Sequence, residues 1–177
     1  MSDLIVVAYR SEAAATTARN ALVALQQAAG TEPEDIILVT QTKAGEITIE
    51  QSIWLATGMP LGDGRWGMLI GSLFLDARKP TAQSKKGLAA LFNKAGLDAA
   101  FLQDVSQSLA SGGAAVGMRV RKLGAKAVLD RLASLPEAGR VMHRALGAEV
   151  ESELAALHDL IPEYVPRHLR QEGEPSI

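Results

Sequence analysis

Apolar positions along this chain follow two rhythms: short unbroken stretches rich in β-branched residues, and longer segments with a helical period. The first stretch, "LIVVAY" (4–9), is too short for a stable helix and reads as a buried strand. Ser11 offers an N-cap. Residues 12–29 then place Ala18, Leu22, Leu25 and Ala29 on one helical face, with Arg19, Gln26 and Gln27 largely elsewhere, and Gly30 ends the pattern. This predicts an amphipathic helix covering a sheet. Residues 35–53 hold two β-branched runs separated by "KAGE", where Gly45 can take the positive φ of a tight hairpin. In the second run Ile47, Ile49 and Gln51 alternate with Thr48, Glu50 and Ser52, so one face of that strand is half wet.

The second half repeats the theme. Residues 85–96 and 98–110 read as helices, the latter with Asp98 as N-cap and Phe101, Leu102, Val105 and Leu109 along one stripe. Residues 112–122, 125–135 and 139–146 read strand, helix, strand, punctuated by Pro136 and Gly139. A strand–helix–strand unit thus stands near each end of the chain. Two such units joined by a hairpin and helices predict an α+β, ferredoxin-like sandwich: a mostly antiparallel sheet with helices on one face and a glycine-rich helical insertion at about 58–96. Residues 148–160 add one more amphipathic helix, closing a single domain over 1–160, and 161–177 read as a loosely ordered tail.

The insertion carries the strongest local signal. Trp66 to Leu75 form an apolar run with glycines at 67 and 71, stopped by Asp76, Arg78 and Lys79. As a helix it spans about 15 Å, half of a bilayer core, and cannot cross one alone. Glycine costs roughly 1 kcal/mol in a helix interior relative to alanine, so a G-x-x-x-G pair calls for a packing reason. Three readings stay open: close packing within its own domain, a surface for meeting copies of itself, or shallow contact with a membrane. Trp66, Gly67, Ile70, Gly71 and Phe74 are the residues expected to make the contact.

Composition removes several classes of chemistry. The 177 residues suffice for one domain without staples, and with no cysteine there are no thiolate nucleophiles, thiolate metal sites or disulfides. A net charge of −2 gives no global field for nucleic acid, and aromatics at 4% are too sparse for base-stacking platforms, so no nucleic-acid partner is expected. Asp3 before a short apolar stretch does not make an export signal, which points to a cytoplasmic protein. His143, His158 and His168 lack helical metal-site spacing and read as ordinary residues. "GDGRWG" and "GGAAVG" match no phosphate loop, and no nucleophile elbow is present. Glu149, Glu151, Glu153, Asp104 and Asp130 fall where solvated helix faces are expected, and the charges of "RVRK" (119–122) alternate in direction rather than forming a patch. No catalytic, cofactor-binding or metal-ligating residue is assigned, and no cofactor is expected.

The stretches "SDLIVVAY", "DIILVTQTKAGEITIEQSI", "RWGMLIGSLF", "GLDAAFLQDVSQSLASGGAAVGMRVRK" and "GRVMHRAL" resemble bacterial proteins carrying the domain of unknown function 1269. That resemblance implies a stress-associated protein, often labelled a membrane protein, in which the "WG-x-L-I-G" segment pairs with a second apolar stretch to make a hydrophobic hairpin. Here the counterpart of that second stretch is broken by Pro80 and carries Arg78, Lys79, Lys85, Lys86 and Lys94, each costly to bury in lipid. A domain that touches a partner, or the inner membrane peripherally, through residues 59–95 fits this sequence better than a spanning one.

The expected function is therefore a non-enzymatic, homo-oligomeric assembly or scaffolding protein, in a stress-related setting, with its contact at the glycine-rich helix. A small-ligand sensor binding at a subunit interface and a peripheral membrane protein are the alternatives. A deep polar pocket with convergent ionisable groups favours the sensor or an enzyme, whereas a dry glycine-lined interface favours assembly.

Overall fold

A computed structural model describes residues 2–31, 33–52, 64–74, 88–109, 112–157 and 170–171. Along the chain these form β1 (Ser2–Tyr9), α1 (Glu12–Ala29), β2 (Ile36–Gln41), β3 (Ile47–Gln51), α2 (Gly64–Ser72), α3 (Leu88–Ala95) and α4 (Ala99–Ser108). Then come β4 (Ala114–Val120), α5 (Ala125–Ala133), β5 (Arg140–Leu146), α6 (Ala148–Ala156) and the two-residue β6 (Arg170–Gln171). The sheet order is β5-β1-β4-β2-β3-β6. All neighbours run antiparallel except β6, which lies parallel to β3 with Arg170 opposite Ile49.

Strands β5-β1-β4-β2 with their two crossover helices α1 and α5 make the ferredoxin-like α+β core, and the β2–β3 hairpin extends it. Local chemistry explains the boundaries. The Ser11 side chain accepts from Ala14 N at the start of α1, and Gly30 ends it in the left-handed region at φ 66°. Gly45, at φ 90°, donates its N–H to the Thr42 carbonyl and turns the hairpin. Asp98 caps α4 by accepting from Phe101 N.

Both faces of the sheet are covered. The first carries Ile5, Val7, Ile36, Leu38, Val116 and Met118 against Ala15, Ala18 and Leu22 of α1 and Val128 and Leu132 of α5, as a ferredoxin-like arrangement expects. On the opposite face Leu4, Val6, Ile37, Val39 and Ile49 meet α2, together with Phe92 of α3, Phe101 and Val105 of α4 and Leu154 of α6. Two large apolar layers thus sandwich one sheet, and its central strands are shielded on both sides. Gln26, expected off the apolar face of α1, is buried: its side-chain amide accepts from Glu34 N and donates to Glu34 O, pinning the last turn of the helix to the chain entering β2. Of the predicted insertion the described residues are 64–74 and 88–96, and of the predicted tail only 170–171, so the remainder of both lies outside the described residues.

Candidate functional site

The glycine-rich helix lies on β2, β3 and β4 of its own chain, and its two glycines set how closely. A methyl group on Gly67 would lie on the Asp35 carboxylate, and one on Gly71 would meet Ile49 Cγ2 at 2.8 Å. The fit is reciprocal, since a methyl on Gly117 of β4 would meet Ile70 Cγ2 at the same 2.8 Å. Small residues on helix and strand alternately receive a large side chain from the other side, which brings the two backbones together. Trp66, Gly67, Ile70, Gly71 and Phe74 are all buried within the chain, as are Met68, Leu69 and Leu73. Any contact with a partner here must form around these side chains rather than on them.

A cluster of polar groups is buried beneath the start of this helix. Asp35, 1% exposed, accepts from Gln51 Nε2 at 2.8 Å and from Ser52 Oγ at 3.3 Å, while Ser52 Oγ also accepts from Ile36 N. Arg119 stacks its guanidinium 4.0 Å from the centre of the Trp66 ring and donates from Nη1 to Glu151 Oε1 at 2.6 Å. A desolvated guanidinium over an indole face is a favourable cation–π geometry, and the carboxylate balances its charge. One side chain of β4 therefore ties together the sheet, α2 and α6. On the other side of the sheet Glu34, also 1% exposed, accepts from Arg121 N and Lys122 N, which fixes the turn after β4.

Sequence reasoning placed Glu151 on a solvated face, and this is corrected. Its helix is short and packs on β5 and α3, so the turn bearing Val150 and Leu154 brings Glu151 over the sheet end, where Arg119 waits. Glu149, Glu153, Asp104 and Asp130 are exposed as expected. Arg119 and Arg121 do point apart, one to Glu151 and the other to Glu34. A signal for Arg119 was present in the alternation: it shares parity with Ala115 and Gly117 on a strand that lies between two others, so it had to face the core.

Among the described residues, β5 is an edge of the sheet with no strand on its outer side. Its arginines are held by α4, Arg144 by Asp98 at 3.1 Å and Arg140 by Asp104 at 3.4 Å, and Arg144 also lies over the Phe101 ring. The Arg144 hydrogen bond, reinforced by the Phe101 N–H, holds Asp98 below the usual carboxylate range, and the Asp98 contact raises Arg144 in turn. His143 bonds Asp3 of β1 at 2.8 Å; His158 and His168 lie outside the described residues. Val141 is 47% exposed. Tyr9, buried at the end of β1, has its phenol pushed up by burial.

Among the described residues, no group of three or more His, Asp or Glu side chains is placed to hold a metal, and no helix is long and apolar enough to cross a membrane. A shallow cleft of about 230 Å³ lies between Ala13, Ala14 and Thr17 of α1 and Leu135, Pro136 and Glu137, with the Thr17 hydroxyl donated to the Ala13 carbonyl. A family model described as Protein of unknown function (DUF1269) matches residues 61–158, more than half of the chain, from the segment entering α2 to just past α6. No curated protein and no solved structure matches the chain.

Proposed function

The chain belongs to the DUF1269 family, and we propose that it is a non-enzymatic, homo-oligomeric protein whose role is scaffolding or stress-related assembly. The observation that carries this reading is the asymmetry of the sheet edges. At one end β3 is joined by β6, whereas at the other β5, among the described residues, pairs only with β1 and carries a large exposed apolar side chain, Val141. Unpaired N–H and C=O groups along an edge strand are a template for a further strand, and a second copy of the same chain supplies one.

The buried charges fit a building block. Asp35, Glu34 and Arg119 are engaged by side chains or backbone of their own chain, and each joins segments distant in sequence. Groups so engaged fasten helices to the sheet. The glycine-rich helix enters this reading as an internal keel that stiffens the sheet from behind while the edge makes the contact. Light scattering at tens of micromolar tests the reading: a mass of two chains or more supports it, and a monomeric mass removes it.

A further inference from the structure

Resting on that reading of self-association, we infer that β5 of one chain pairs antiparallel with β5 of a second copy about a two-fold axis passing between the two His143 residues. Both the edge and its register follow from β5 itself.

A two-fold axis perpendicular to the sheet keeps each face continuous across the seam, so a residue pairs with another of the same parity. Met142 and Leu146 face the layer containing α2 and α4, together with Arg144, which lies over Phe101. Val141 and His143 face the other way, beside Val7 and Ile5 of β1. With the axis at His143, Arg140 stands opposite Leu146, Val141 opposite Ala145, Met142 opposite Arg144, and His143 opposite its own copy. All seven residues of the strand then pair. A two-residue slip one way sets Arg140 against Arg144, and the same slip the other way sets Arg144 against itself. Like charges directly opposite destabilise a strand pair, so these neighbouring registers are disfavoured.

The surroundings favour the same register. Asp98 and Asp104 draw the two arginines toward α4, leaving the strand edge approachable. On the opposite face Val141 and Ala145 are exposed. In the pair each covers the other, so this apolar surface is closed by the partner. The two histidines meet at the axis, each already bonded to its own Asp3.

The absence of cysteine makes the test direct, because the chain carries no thiol besides those introduced. Directly opposed Cβ atoms lie about 4.5–5.5 Å apart, close enough for a disulfide after small adjustment. Under mild oxidation in the full-length protein, H143C should form a covalent dimer at least tenfold faster than V141C or A145C, whose facing residues carry no thiol. The double variant V141C/A145C should also cross-link readily, and because it keeps the His143–Asp3 bond it stands in if H143C fails to fold. A wild-type protein that is oligomeric by light scattering while H143C and V141C/A145C stay uncrosslinked overturns this inference and leaves self-association standing. Fastest cross-linking at 141 or 145 alone overturns the register. A monomeric wild type removes both.

Discussion

The two faces of the sheet solve one packing problem by opposite means. On the first, α1 brings Ala14, Ala15, Ala18 and Leu22 onto a layer of valines, isoleucines and alanines, and the contact is apolar throughout its centre. On the second, α2 is half as long, replaces alanine by Gly67 and Gly71, and rests partly on a buried carboxylate and a buried guanidinium. An eighteen-residue helix gains enough from its own backbone and its long apolar face to need little else. A nine-residue helix containing glycines does not, and its hold on the sheet depends on close approach and on cross-links from distant residues. The first face should tolerate small changes in volume and the second should not.

Gly67 gives the widest separation between the faces. Any side chain there must displace Asp35, which Gln51 and Ser52 hold in place, so overpacking is compounded by a buried carboxylate stripped of its donors. Gly67→Leu is expected to cost about 3–5 kcal/mol, read as a lowered urea midpoint or failure to fold. A Gly67→Leu protein as stable as wild type would mean that α2 is not seated on Asp35.

Removing one partner of the Arg119–Glu151 pair is the next largest effect. Arg119→Met takes the guanidinium away from both Glu151 and the Trp66 ring, for an expected loss of about 2–3 kcal/mol. Adding Glu151→Met should recover much of that loss, because two apolar side chains of similar volume replace the ion pair. Chemical denaturation of both single variants and the double variant measures the coupling. Strict additivity would show that the pair does not hold α6 to the sheet.

Alanine and glycine exchanged between the faces should act with unequal logic. In an ordinary helix interior Gly→Ala gains about 1 kcal/mol, yet Gly71→Ala drives a methyl onto Ile49 Cγ2 and is expected to lower stability by about 1 kcal/mol instead. Ala18→Gly in α1 removes a buried methyl and adds backbone freedom, costing about 1–2 kcal/mol by the usual rules. Stabilisation by Gly71→Ala in thermal unfolding would erase the distinction between the faces.

This contrast also explains what could be read in advance. The α1 face was legible because its determinants are local: a cap at Ser11, a stop at Gly30, a helical period between them and β-branched strands on either side. The hairpin at Gly45 and the Asp98 cap were legible for the same reason. The G-x-x-x-G spacing announced close packing without naming its partner, because Asp35 just before β2, Ile49 of β3 and Gly117 of β4 are brought under α2 only by the fold. Glu151 was misplaced since a helix's polar face is judged by its neighbours in sequence, whereas the residue that buries it lies 32 positions away. The open edge at β5 was likewise invisible, because strand order is a property of the whole sheet.

The smallest expected effect lies at the rim of the second face, where α4 meets β5. Asp98 caps α4 and accepts from Arg144, and these contacts hold its carboxyl below the ordinary carboxylate range, the Arg144 hydrogen bond contributing most. A carboxylate lowered in the folded state binds protons less readily there than in the unfolded chain. Its contribution is therefore complete above the unfolded value of about 3.9, and it is lost as pH falls through the lower folded value. Asp98→Asn keeps the helix cap, since asparagine caps as well as aspartate, and removes only the charge. At neutral pH and low salt the variant should melt slightly below wild type. The difference should shrink as salt is added, because the pair is half exposed, and vanish in acid once wild-type Asp98 is itself protonated. A difference that persisted unchanged into acid would show that the cap geometry, and not the charge held by Arg144, had been lost.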